Sequence, residues 1–154
     1  MLDKMFFYKK NCMTIHLENL IDHYQSLEQF EKSFPEEFLD NDDHVGIYLD
    51  QLLVKYDKRA SAISEKAGLN TSYVGNIVNG KKRNPSRDAL ISICFAIDTT
   101  LEEVQYLLKY AGQAPLYVRR RRDVIIWFGF MKHMPLEDVD YYLRDHGLKP
   151  LLRD

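Results

Sequence analysis

Ser72, Gly75, Asn76 and Asn79 recur at i, i+3, i+4 and i+7, which places them on one face of a helix. That face is small and uncharged, and it carries two amides. An asparagine amide can bridge N6 and N7 of adenine in the major groove of duplex DNA. A glycine beside it lets a backbone come close to base edges. Thr71 and Ser72, at the start of the helix, add hydroxyls that can reach bases or phosphates. Lys81, Lys82, Arg83 and Asn84 follow directly, with Arg87 beyond, while Lys55, Lys58 and Arg59 come before. Cations flanking a polar helix face are suited to phosphate neutralisation, with Arg59, Lys81, Lys82 and Arg83 best placed.

Such a face is useful only if other elements hold it out to solvent. The segment Arg59–Gly80 reads as two short helices joined by Gly68-Leu69-Asn70. Gly68 permits a left-handed turn, Ser64 is small where the helices would touch, and Val74 and Ile77 point the second helix inward. Asn70 or Thr71 is the expected cap of the second helix, and Asp57 that of the first. Upstream, Val45, Tyr48, Leu49, Leu52, Leu53 and Tyr56 form an amphipathic stripe. Downstream, Ser86 caps a helix with Leu90, Ile93, Cys94 and Ile97 inward, and Thr100-Leu-Glu-Glu has capping-box spacing. Nearer the N-terminus, Leu17, Leu20, Ile21, Tyr24 and Leu27 suggest a helix ending at Pro35.

The C-terminal third repeats what precedes it. Residues 88–116 align with 123–151 without a gap at an offset of 35, with 11 identities in 29 positions, among them Asp88/Asp123, Phe95/Phe130, Gly112/Gly147 and Pro115/Pro150. The pattern implies two copies of one helical hairpin. The first helix of the second copy, Val124–Met131, is apolar nearly all round. It suits a buried central helix, or a dimer interface anchored by Trp127 and Phe130, and the two are compatible. The coarse reading is all-α, with six or seven helices and no sheet.

The residues between Val45 and Gly112 resemble the lambda-repressor-like (Xre/Cro-type) helix-turn-helix domain. The resemblance lies in Ile63-Ser-Glu-Lys-Ala-Gly-Leu, Thr71-Ser-Tyr-Val-Gly-Asn-Ile and Asn79-Gly-Lys-Lys-Arg-Asn-Pro-Ser-Arg-Asp-Ala-Leu. With Leu116-Tyr117, Arg122-Asp123 and Leu136–Leu151, the longer span is similar to extended Xre-type regulators of Gram-positive bacteria. The resemblance implies a five-helix DNA-binding domain, extended here by an N-terminal helix and the duplicated hairpin, and a role in transcriptional regulation, as a repressor. The expected organisation is an acidic extension over 1–43, the DNA-binding domain over 44–116 and the C-terminal hairpin over 117–154. The expected partners are double-stranded DNA and a second copy of the chain. The alternative is a protein-interaction module or antitoxin-like adaptor on the same fold.

The net charge of −2 conceals an asymmetry: residues 1–45 sum to −6, 46–92 to +4 and 93–154 to zero. The positive segment coincides with the helix pair. Arg119–Arg122 suits a linker or an intramolecular partner of the acidic head (Glu36, Glu37, Asp40, Asp42, Asp43), and less readily a second phosphate contact. Two cysteines, Cys12 and Cys94, make no disulfide framework and fit a reducing, cytoplasmic setting. Val124–Met131 is far short of the ~20 apolar residues of a membrane span. Histidines 16, 23, 44, 133 and 146 have no metal-ligand spacing, and no phosphate-cradling glycine loop or nucleophile-base pair is legible, so neither enzyme nor cofactor is expected.

Overall fold

A computed structural model describes residues 24–33 and 44–152. The chain divides into a unit within Met1–Asp42 and a second spanning Asp43–Asp154. The first contributes α1 (Leu27–Ser33). Tyr24 precedes this helix, and Ser26 caps it by accepting the Gln29 N–H while Gln29 Oε1 accepts the Gln25 N–H. Residues 24–26 are not helical, so the helix expected over Leu17–Leu27 does not run through them; serine and glutamine there satisfy the helix start at Leu27. Leu17–Ile21, Pro35 and the acidic residues of the head lie outside the described residues.

The second unit contains α2 (His44–Lys55), α3 (Ala60–Lys66), α4 (Tyr73–Val78), α5 (Arg87–Ile97), α6 (Leu101–Tyr110), α7 (Arg121–Met131) and α8 (Leu136–Asp145). Among the described residues there are eight helices and no strand, an all-α arrangement that already exceeds the six or seven helices expected. α5 is the hub, because Ala89 through Ile97 are all buried. α3 packs on one side of it and α8 on another, while α2 lies against α4 and α6. Gly46 is what lets α2 approach α4: a Cβ there would sit 2.6 Å from the Ile77 carbonyl oxygen and 3.2 Å from that of Val78.

The duplication is preserved in detail, residue for residue at the offset of 35. α5 ends at left-handed Asp98 and α7 at left-handed His133. The turns close alike, Thr99 N–H to Cys94 O and Met134 N–H to Gly129 O, then Gln113 N–H to Leu108 O and Leu148 N–H to Leu143 O. The two hairpins are joined by a crossed pair of arginine forks. Arg87 donates to both oxygens of Asp123 at 3.1 and 3.0 Å, and Arg122 to both of Asp88 at 2.8 and 3.0 Å. Each guanidinium also caps the end of its own hairpin, Arg87 at the carbonyls of Ala114 and Pro115, Arg122 at those of Lys149 and Pro150. Near the middle, Phe95 and Phe130 stack with centroids 3.9 Å apart and planes 11° from parallel. Gly129, equivalent to Cys94, leaves room for that stack, since a Cβ there would lie 2.9 Å from Phe95 Cζ and 2.6 Å from Val139 Cγ2.

Candidate nucleic-acid interface

α3 and α4 meet around one hydroxyl. Ser64 Oγ donates to the Ala60 carbonyl at 2.9 Å and accepts the Val74 N–H at 3.0 Å, fully buried. Smallness is the property the sequence makes obvious at this position; the second role is to satisfy an N–H in the first turn of α4, which has no partner within its own helix. The signal was a hydroxyl between inward-facing Ile63 and Ala67. Gly68, at φ +72°, closes α3, and the Leu69 N–H returns to the Ser64 carbonyl. Val74 and Ile77 are buried, fixing the rotation of α4.

The entry to α4 is held by Asn70, whose Oδ1 accepts the Ser72 N–H at 3.0 Å and the Ser72 hydroxyl at 2.8 Å. The Tyr73 N–H goes to the Asn70 carbonyl. The N-cap position of α4 falls on Ser72, without a side-chain cap; of the two expected caps, Asn70 holds the turn before the helix and Thr71 is exposed. With the N–H groups of Ser72, Tyr73 and Val74 occupied from within the chain, side chains are the main groups left to meet a phosphate beside α4. Asp57 does not cap α3. It lies in the left-handed region, φ 52°, and closes α2, where the Lys58 N–H returns to Leu53 O. Arg59 occupies the N-cap position of α3 without a side-chain cap.

The outward face of α4 contains Ser72, Gly75 and Asn76, with Thr71 just before it and Asn79 just after. A Cβ on Gly75 would meet nothing within 4 Å. Asn76 is half-buried, and its amide has no hydrogen-bond partner among the described residues. Asn79 is different: its Oδ1 accepts the Lys81 N–H at 3.0 Å, which fixes the exit from the helix. Bidentate contact with adenine needs the oxygen as well as the nitrogen, so Asn79 could offer only its NH2 without breaking that turn.

The cations divide into committed and uncommitted sets. Lys55 is paired with buried Glu103 at 2.8 Å, and Arg87 is spent on Asp123 and two carbonyls. Both were expected beside the groove, and tertiary pairing withdraws them. Lys82 Nζ lies over the Tyr73 ring, 4.9 Å from its centroid, which holds its charge near the start of α4. Arg59, Lys81 and Arg83 are exposed and make no ion pair among the described residues. Of the arginine run, Arg122 takes Asp88, while Arg119, Arg120 and Arg121 are exposed.

Glu103 anchors the region electrostatically. Burial by itself raises its pKa, but hydrogen bonds from Lys55, Tyr56 and Thr100 outweigh that and hold the carboxyl below its ordinary value. The same carboxylate, after burial, keeps the Tyr56 hydroxyl protonated far above its usual range. Thr100 and Glu103 complete the capping box legible in the sequence. Cys94 is a buried free thiol whose pKa burial pushes up to about 12, so it is an inert core residue.

Phe130 is 3% exposed and stacked within the chain, so it is core and cannot anchor a partner; Trp127 is half-buried, and Phe128 and Met131 are the exposed apolar residues of α7. The alignment itself held the reason, since Phe130 is the counterpart of Phe95. No group of metal-ligating side chains occurs among the described residues, and none of their helices is long and apolar enough to cross a membrane.

No protein-family model, curated protein or solved structure matches this chain.

Proposed function

We propose that this protein is a transcriptional regulator of the lambda-repressor-like class, a repressor that binds double-stranded DNA sequence-specifically with α4 in the major groove. The observation that carries the reading is the rigidly held, outward, small and polar face of Thr71, Ser72, Gly75 and Asn76, beside unpaired Arg59, Lys81 and Arg83. Gly75 strengthens it. Glycine within a helix costs ~1 kcal/mol relative to alanine, and nothing inside the chain needs the missing Cβ. Close approach by an external surface accounts for it. Asn76 is the principal base reader, Thr71 and Ser72 assist, and Asn79 contributes through its NH2. Arg59, Lys81, Lys82 and Arg83 meet phosphates. A homodimer would require an inverted repeat with half-sites roughly 34 Å apart, and its contacts would fall on Trp127, Phe128 and Met131.

Selection of bound sequences from random duplex DNA tests the reading with the full chain. A defined motif, lost in Asn76→Ala, is the expected result. Absence of enrichment at low salt would overturn it. A second reading, a protein-interaction adaptor, is favoured by the lack of any Arg or Lys in Tyr73–Val78 and by exposed Phe128, Met131, Tyr141 and Tyr142. The two differ in salt response, since phosphate binding weakens steeply with added salt and an apolar contact does not.

A further inference from the structure

A cleft of about 310 Å³ opens behind the helix-turn-helix, walled by the Ala67–Asn70 turn on one side and Lys149–Leu152 on another, with α5 as its floor. Asp88, Ala89 and Ser92 recur at i, i+1 and i+4 of α5 and line that floor. Ser92 is 2% exposed, yet its hydroxyl has no hydrogen-bond partner among the described residues. Its oxygen is not among the fully enclosed, unpartnered atoms of the described residues, so it is reached from the cleft, where solvent or a guest can bond it.

The charges beside it are unevenly satisfied. Asp88 is held through both oxygens by Arg122. Lys149 stands 3.7 Å from Asp88 Oδ2, beyond hydrogen-bonding distance, with its side chain 79% exposed. The carboxylate is already neutralised by the guanidinium, so Lys149 is a surplus cation at the rim. A guest with an anionic end and a hydroxyl would meet Lys149 and Ser92 without disturbing the arginine fork. The volume lies at the small end of the ~300–1,000 Å³ typical of ligand sites, enough to admit a molecule of a few carbons.

We propose that this cleft binds a small hydroxy-carboxylate, its carboxylate on Lys149 Nζ and its hydroxyl on Ser92 Oγ. Such a ligand would tie the C-terminal segment to the turn that positions α4. That segment is already close, since a Cβ on Gly68 would strike Leu152 Cδ2 at 2.7 Å, and buried Asp140 holds it by accepting the N–H groups of Leu151 and Leu152. The site does not depend on α4 reading DNA, and failure of the DNA selection would leave it standing.

Titration of the ¹⁵N-labelled full chain with lactate, glycerate and malate tests it, with sodium chloride at matched ionic strength as control. Saturable amide shifts at Gly68, Ser92 and Leu151 are expected with at least one acid and not with chloride. Lys149→Gln should weaken that binding about tenfold, as loss of a charge-assisted contact does, and Ser92→Ala several-fold, with both spectra otherwise native. Shifts that never saturate with any of the three acids, or variants that bind as the parent does, would overturn the proposal.

Discussion

Asn76 and Asn79 are chemically identical and one helical turn apart, but their surroundings give them different capacities. Asn76 has both amide atoms available, whereas Asn79 has committed its oxygen to the Lys81 N–H. Asn76→Ala should therefore relax selectivity at one base pair, at a cost of ~1–3 kcal/mol for the preferred sequence, while Asn79→Ala should act mainly on the Asn79–Lys81 turn. Quantitative binding to the selected motif and its single-base variants separates the two. Lys81→Ala or Arg83→Ala should instead weaken binding to all sequences and lower the salt slope by about one each. Glu103 contributes to the acid limb of stability. Its folded pKa is depressed, so the native state resists protonation more than the unfolded chain does. Its contribution is present above the unfolded carboxyl value of ~4.3 and is lost as pH falls through the lower folded value. In Glu103→Gln the urea midpoint should lose that part of its pH dependence, and an unchanged acid limb would exclude Glu103 as its source.

Two glycines set the disposition of α4 in opposite ways. Gly46 is required from inside, because the Ile77 carbonyl oxygen lies where its Cβ would be. Gly46→Ala should cost roughly 1–3 kcal/mol through overpacking and displace α4, lowering DNA affinity with stability. Gly75→Ala meets no internal obstacle and should raise stability by up to ~1 kcal/mol while still weakening DNA binding. Thermal unfolding and a binding isotherm on both variants would show the dissociation. If Gly75→Ala bound DNA as the parent does, close backbone approach at that position would be excluded.

Across the whole second unit, the crossed arginine forks join the two hairpins. Asp123 is 3% exposed on its side chain and also accepts the Tyr117 N–H. Arg87→Ala strands that carboxylate and should destabilise by ~3–5 kcal/mol, whereas replacing Arg87 and Asp123 together with apolar residues of matching size should cost far less. Trp127 is the sole tryptophan and sits in the second hairpin. Its fluorescence should therefore unfold at the same denaturant concentration as the far-ultraviolet circular dichroism of the remaining helices, and Arg87→Ala should move both together. A separate, earlier tryptophan transition would mean that the hairpin is an independent module.

Most of the helices, the caps Ser86 and Thr100 and the duplication were legible because each rests on local, periodic signals. Apolar spacing near 3.6, Ser86 and Thr100 as N-caps, glycine after the last turn and an offset of 35 all reside in neighbouring residues. The outward face of α4 was legible for the same reason, since Val74 and Ile77 define its back. Ion-pair partners were not, because charge acts through space with no sequence register: Lys55 and Arg87 look like Lys81 and Arg83 until Glu103 and Asp123 are folded against them. Nor were the details that depend on a close crossing, the need for Gly46 under α4 or the bond from the Val74 N–H to the Ser64 hydroxyl. Sequence by itself determined which elements form and which face of α4 is polar. Tertiary structure alone decided which cations remain free beside that face and how closely the helices behind it approach, because both depend on contacts between residues far apart in the chain.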